Sequence, residues 1–392
     1  MTKKMKIESK TIQIPEERIK IDVKTVEKKI PKDPSTLKKT SDPEYNSYHD
    51  APFWEGEDVP FSFICETFDA VSMLKGENSK EKIIDTLSNM FRSIILLKPD
   101  QLASTYYFCI FRISPEYEGK NDIGVGGGTL MKAISKTSGR SEKALFQHLK
   151  QVGDLGVVAA LSKSNQSNIT TFFKKGAKEI RLTMKQVMDS FRRCSQLRGQ
   201  NSNNEREKIM IKLFGDAKNT EPTYLVRYFE RNFRIGALEL TMQAALAKAF
   251  LIWSHSDEKF IGPRKAKWSA LIPGYEAKLQ KFNNVIERAI NEFPNHDVLI
   301  DGLLKVGPEI DALLQICKIR PGVPPKAMLA QPTKGVHVVF KRFENLKFTC
   351  EYKYDGLRGQ IHYFDGKCVI YSRRLENLTE SYPDVVDRKS VV

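Results

Sequence analysis

From about residue 51 to residue 316 the apolar residues recur every three or four positions, and this constrains most of the chain to helices. Ser79 can cap a helix in which Ile83, Ile84, Leu87, Met90, Phe91, Ile94 and Ile95 share one face, and Pro99 ends it. Ser141 starts another, with Leu145, Leu149 and Val152 turned inward. Leu238, Met242, Ala245, Leu246, Ala249 and Phe250 form a third stripe, and Phe282, Val285, Ile286 and Ile290 a fourth. Stripes at this spacing are core rather than cofactor sites, so residues 51–316 read as one all-α domain.

The pattern changes after Ile316. Arg320-Pro321-Gly322-Val323-Pro324-Pro325 is a linker signal. Beyond it, Phe348 to Lys353, Arg358 to Phe364 and Cys368 to Arg373 read as strands, with Asp365-Gly366 as a hairpin turn. The expected architecture is therefore α+β and multidomain: an all-α domain, then the β-rich beginning of a second domain over residues 317–392. Residues 1–50 mix Lys, Glu, Ile and Pro without lasting periodicity and are expected to be a disordered basic tail. Its pairs Lys28-Lys29 and Lys38-Lys39 would suit a nuclear import signal, although such pairs also arise by chance.

The chain carries a net charge of +15 with 48 acidic residues, so the positive bias is spread over a folded protein. Such a bias favours a polyanionic partner, nucleic acid first. No run of about 18 apolar residues is present, which gives no expectation of a membrane partner. The six cysteines, Cys65, Cys109, Cys194, Cys317, Cys350 and Cys368, form no CxxC pair. They read as reduced, buried thiols of a cytosolic or nuclear protein, and no metal-ligand set is expected.

Three glycine-marked turns interrupt the helices. Ile123-Gly124-Val125-Gly126-Gly127-Gly128-Thr129-Leu130 lacks the strand-helix-strand setting of a dinucleotide site. It reads instead as a helix start at which the amides near Gly126 and Gly128 can face a phosphate. Gly153-Asp154-Leu155-Gly156 and Arg231-Asn232-Phe233-Arg234-Ile235-Gly236 are the other two. Each alone is a structural turn or a phosphate site. Three in one basic domain favour contact with a nucleic-acid backbone through Gly126, Gly128, Gly153, Gly156, Arg231, Arg234 and Gly236.

Between the helices, Gln166 is followed by Ile169 at plus three and by Phe172 and Phe173 at plus six and seven. This is the spacing of peptides that dock on sliding clamps: one helical turn gathers the three apolar side chains into a plug, and Gln166 fills a polar pocket. The alternative is that Phe172 and Phe173 start a helix and pack inward. The adjacent polar stretch Ser162-Lys163-Ser164-Asn165 favours the clamp reading.

The last feature is a lysine in Glu351-Tyr352-Lys353-Tyr354-Asp355-Gly356-Leu357-Arg358. A lysine amine is nucleophilic only when neutral, and nearby cations or desolvation bring it there. Arg358 and Arg373, on adjoining predicted strands, or a bound Mg²⁺ would supply the charge. An amine so tuned can attack phosphorus and form a phosphoramidate.

Lys353-Tyr354-Asp355-Gly356-Leu357-Arg358 resembles the K-x-D-G-x-R motif of the ATP-dependent DNA ligases. The longer run from Phe348 to Gly356 resembles the replicative eukaryotic branch of that family. Pro321-Gly322-Val323-Pro324 and Met328-Leu329-Ala330-Gln331-Pro332-Thr333-Lys334-Gly335 are similar to its entry into the catalytic domain. Thr86 to Ser93, the Gly124 turn, Gly153-Asp154-Leu155-Gly156 and Arg234-Ile235-Gly236 resemble its helical DNA-binding domain. The likeness covers about residues 55–388.

The resemblance implies that Lys353 takes AMP from ATP and releases pyrophosphate. The AMP then passes to the 5′-phosphate of a nick in duplex DNA, and the 3′-hydroxyl displaces it. Glu351 would hydrogen-bond the adenine, Arg358 would contact the nucleotide and the nick phosphate, and Arg373 would sit at the nick. ATP and Mg²⁺ are the implied cofactors. Nicked duplex DNA and a sliding clamp are the implied partners, in a monomer working in the nucleus during replication and repair.

The family continues beyond the likeness with further strands, a lysine pair on the α-phosphate and an oligonucleotide-binding-fold domain. The expectation is of a C-terminally truncated member in which Lys353 adenylylates poorly. Ala327 and Arg374 stand where the family prefers Pro and Asn. A second expectation is therefore a non-catalytic module that binds DNA and the clamp.

Overall fold

The computed structural model describes residues 37–53, 55–164, 181–255, 268–328, 332–344 and 346–387. Helices run from Phe61–Ser72 (α1) through Ser79–Leu97 (α2), Leu102–Cys109 (α3), Gly127–Ser138 (α4), Glu142–Val152 (α5) and Leu155–Ser164 (α6). They continue as Met184–Gln196 (α7), Ser202–Asp216 (α8), Glu221–Phe229 (α9), Glu239–Ser254 (α10), Tyr275–Glu292 (α11) and His296–Val306 (α12). One core joins them all.

α10 is the central element. It lies against α2 on one side and α11 on another, and Met242, Ala245, Leu246, Ala249 and Phe250 are all buried. Its alanines let α2 approach closely, and the large side chains contribute about 1.5–3 kcal/mol each through burial. On α2 the expected face is buried at Ile83, Leu87, Met90, Phe91, Ile94 and Ile95 and half-buried at Ile84. Lys98 has φ −150°, off the helical region as a residue before proline tends to be, and α2 stops there. Ser141 caps α5 as expected, its hydroxyl accepting from the Ala144 amide at 3.3 Å.

Several expectations need correction. Ser79 is the first helical residue rather than the cap; Asn78 precedes α2 in the left-handed region with φ 58°. Leu238 continues the α10 stripe on paper, but it lies just before the helix begins, in extended backbone, and points to solvent. Val152 is exposed because α5 ends there and turns at Gly153. Residues 37–53 are not a loose tail. Tyr45, Tyr48, Ala51 and Phe53 are buried, the Tyr45 hydroxyl meets Ser93 Oγ at 2.8 Å, and Asn89 Nδ2 donates to the Thr40 carbonyl at 2.8 Å. Of the cysteines, Cys350 is exposed and the other five are buried.

The strand pair expected after the linker is present. Gly359–Phe364 (β1) and Lys367–Ser372 (β2) form an antiparallel hairpin in register Gly359↔Ser372 to Phe364↔Lys367. Asp365 and Gly366 both have positive φ, 48° and 72°, the two-residue turn that matches strand twist. Phe348 to Lys353 is not a strand. It is irregular and exposed, because among the described residues no neighbouring strand pairs with it.

The linker is a docked strap. Arg320 lies over the Phe293 ring at 4.2 Å, Lys326 N donates to the Asn291 carbonyl at 2.8 Å, and Lys326 Nζ sits 3.5 Å from Glu239. On its other side the Gly322 amide donates to His362 Nδ1 at 3.1 Å, and the Tyr371 hydroxyl donates to the Gly322 carbonyl at 2.8 Å. A side chain at residue 322 would meet the Phe364 ring at 2.9 Å, and φ there is +87°, so both space and backbone demand glycine.

Candidate nucleic-acid interface and nucleophile

The first turn is held from below and open above. Ile123 is buried, and Gly124 has φ +66° with its amide donating to Asp122 Oδ1 at 2.9 Å. The Arg206 guanidinium lies against Gly124, where a Cβ would come within 2.7 Å of it. Arg206 is itself fixed by the carbonyls of Cys194 and Leu197 at 3.1 and 2.7 Å. Gly126, the α4 cap, and Gly127 and Gly128 behind it are different. They are exposed, and a Cβ on any of them would meet nothing within 4 Å. Nothing inside the protein demands glycine there. Their effect is to leave the first amides of α4, which no helical carbonyl can serve, bare to an outside acceptor.

The second and third turns are one structure. Asp154, 5% exposed, accepts at Oδ1 from the amides of Gly156 (2.9 Å) and Val157 (3.2 Å), capping α6. At Oδ2 it takes Arg227 through Nη2 at 2.8 Å and Nε at 3.2 Å, and Arg234 at 3.3 Å. Arg227 reaches on to the Phe233 carbonyl at 3.0 Å, and Arg234 to the Gly153 carbonyl at 3.3 Å. Burial alone would raise the Asp154 carboxyl. The Arg227 hydrogen bond, the Val157 amide and the charges of Arg227 and Arg234 outweigh it and hold the pKa below the ordinary value.

This geometry sorts the residues expected to face a phosphate. Gly156 is buried, its amide is taken by Asp154, and a Cβ there would lie 2.7 Å from the Thr223 carbonyl oxygen. It serves the close packing of α6 on α9. Gly153 is exposed, with φ +73°, and its amide closes the end of α5 on the Leu149 carbonyl. Arg231, Arg234 and Gly236 are exposed on a turn with φ of 53°, 58° and 68°. The neighbouring Phe233 and Ile235 are buried, Phe233 among Phe68, Phe108 and Phe111, and anchor the turn. Sequence reasoning missed Asp154 and Arg227 as the joint between the turns. The one local hint was an acid between two glycines in a basic region.

Lys163 Nζ donates to the carbonyls of Phe214, Gly215 (2.7 Å) and Ala217, closing the C-terminus of α8. Burial lowers its pKa to about 8. Burial also raises the nearby Glu221 to about 7, although its carboxylate accepts from the Lys218 amide at 2.6 Å. The expected clamp residues that follow, Gln166, Ile169, Phe172 and Phe173, lie outside the described residues.

At the other end of the chain Glu351, Lys353, Arg358 and Arg373 are all exposed, and their aromatic neighbours Tyr352 and Tyr354 are 89% and 86% exposed. The hairpin brings two of the four together. Arg358 precedes β1 and Arg373 follows β2, and the pair Gly359↔Ser372 joins those two ends. Lys353 and Glu351 stand further back on the irregular stretch that leads into β1. Among the described residues no group of three or more His, Cys, Asp or Glu side chains could hold a metal ion.

Two family models match, in chain order. One, described as DNA ligase N terminus, covers residues 60–247; the other, described as ATP dependent DNA ligase domain, covers residues 327–390. The chain belongs to the ATP-dependent DNA ligase family. It is 35% identical over 346 residues to DNA ligase 1 of Dictyostelium discoideum, a match covering 87% of this chain and 28% of that protein. It is 36% identical over 334 residues to DNA ligase 1 of Arabidopsis thaliana, covering 85% and 39%. Against the DNA ligase of Ignicoccus hospitalis it is 32% identical over 324 residues, covering 82% and 48%. The chain thus spans less than half the length of these relatives.

Proposed function

We propose that this chain provides the duplex-gripping domain and the adenylate-accepting lysine of a nick-sealing ligase. The observation that carries the reading is the position of Lys353 in Lys353-Tyr354-Asp355-Gly356-Leu357-Arg358, inside the matched ATP-dependent ligase domain and just ahead of a hairpin that brings Arg358 and Arg373 to one end. The Lys353 amine attacks the α-phosphorus of ATP, forming a P–N bond as the P–O bond to pyrophosphate breaks. The 5′-phosphate of the nick then takes the AMP, and the 3′-hydroxyl displaces it. Glu351 reads the adenine, and Arg358 and Arg373 hold phosphates as bidentate donors. Mg²⁺ enters as the counter-ion of ATP, part of the substrate.

In the helical domain, Gly126, Gly128, Gly153 and Gly236 let backbone come close to the DNA, and Arg231 and Arg234 supply the charge. These contacts position the duplex without reading bases. The peptide Gln166 to Phe173 docks on a sliding clamp, and the protein works as a monomer in the nucleus, joining strands in replication and repair. A sealing assay on a 5′-phosphorylated nicked duplex with ATP and Mg²⁺, with Lys353→Ala alongside, tests the enzyme reading. Joined product that disappears with the substitution supports it.

The exposure of Glu351, Lys353, Arg358 and Arg373 favours a second reading, a DNA- and clamp-binding module without catalysis. Tight duplex binding without joined product would select it.

A further inference from the structure

Leu238 and Leu240 are 78% and 73% exposed, at the start of α10 and directly after the Arg231–Gly236 turn. A large aliphatic side chain gains nothing from standing in water, and here two are exposed within three residues. They are displayed on rigid ground. Phe233 and Ile235 before them and Met242 after them are buried, and the amides of Thr241 and Met242 both donate to the Leu238 carbonyl, at 2.9 and 3.0 Å.

The charges around the pair are arranged to one effect. Glu230 is met by Arg234 at 3.4 Å. Glu239, between the two leucines, is held by Arg112 through both oxygens, at 2.9 and 3.1 Å, and by Lys326 at 3.5 Å. Both acids of the segment are thus neutralised within the protein. Among the described residues Arg231 enters no ion pair, so its positive charge faces outward. A surface that is apolar and cationic, with its acids withdrawn, complements a partner that is apolar and anionic over short distances.

The sugar–phosphate wall of a duplex is such a partner, and leucines are among the side chains that enter minor grooves. We propose that Leu238 and Leu240 pack on deoxyribose in the minor groove of the bound duplex while Arg231 reaches the flanking phosphates. The inference rests on the duplex-binding reading above and adds to it an apolar, salt-independent contact. A protein partner on the same leucines is the competing possibility, and the test separates the two.

The test is fluorescence anisotropy of a labelled duplex oligonucleotide with the full chain, over a range of salt concentrations. Three variants are compared: Leu238→Ser with Leu240→Ser, Leu238→Ala with Leu240→Ala, and Arg231→Gln. Apolar contacts release no counter-ions, whereas each phosphate contact adds about −0.9 to the log–log salt slope. The expected result is that both leucine variants raise Kd at least about tenfold at every salt with the slope unchanged, and that the alanine pair also keeps the wild-type thermal midpoint. Arg231→Gln instead shallows the slope by about 0.9. The alanine pair guards against misfolding: at Leu238, the residue before α10, alanine and leucine are equally poor caps, and at Leu240, in its first turn, alanine is the best helix former. A wild-type Kd in both leucine variants would overturn the proposal while leaving duplex binding intact, and would favour a protein partner. A changed slope in the leucine variants would also overturn it. A wild-type chain that binds no duplex would remove the reading on which the proposal stands.

Discussion

Replacing Asp154 with Ala should be among the most damaging single changes in the helical domain. The side chain is 5% exposed and does three jobs: it caps α6, pairs Arg227, and ties Arg234. Losing a cap costs about 1 kcal/mol. Leaving Arg227, whose side chain is 13% exposed, without its carboxylate is the larger loss, within the roughly 3–5 kcal/mol seen when one partner of a buried pair is removed. Arg234 is 42% exposed and adds little. These losses share one side chain and do not sum, so the expected destabilisation is about 3–5 kcal/mol. Urea unfolding followed by helical circular dichroism measures it. The carboxyl's pKa is lower folded than unfolded, so its stabilisation is complete above the unfolded value near 3.9 and fades as pH falls through the folded one. The gap between wild type and Asp154→Ala should therefore be full at pH 7 and narrow below about pH 4. A gap under about 1 kcal/mol at pH 7, or one that widens in acid, would refute the account of this cluster.

Gly156→Ala should lose about 1–3 kcal/mol by pressing on the Thr223 carbonyl, whereas Gly126→Ala, with open space around it, should leave the unfolding midpoint unchanged. Glu221 shifts in the opposite sense to Asp154. Its folded pKa is raised to about 7, so the folded state holds the extra proton and stability falls as pH rises from about 4.5 to 7; Glu221→Gln should flatten that dependence in thermal melts between pH 5 and 8. Gly366→Ala places a Cβ at φ 72° and should weaken the hairpin by about 1 kcal/mol, read as faster amide exchange at His362 and Val369.

What was legible in the sequence was whatever depends on neighbours along the chain. The stripes of α2 and α11 obey a 3.6-residue period, Ser141 carries its own acceptor to the α5 amides, and Asp365-Gly366 encodes its own turn. What was not legible depends on residues far apart. Asp154 and Arg227 are 73 positions apart and meet only because α6 packs on α9. Leu238 kept the period of α10 yet fell outside it, because periodicity does not tell where a helix begins. Phe348 to Lys353 had strand composition, but a strand exists only when a neighbour takes its hydrogen bonds. The lysine motif was plain, while the exposure of Lys353 and its companions was visible only in three dimensions.

The central claim, that Lys353 accepts adenylate, is tested most directly by incubating the chain with α-labelled ATP and Mg²⁺, denaturing it and looking for label. The account predicts acid-labile label on wild-type protein and none on Lys353→Ala. Unlabelled wild type, or label that persists after the substitution, would contradict it.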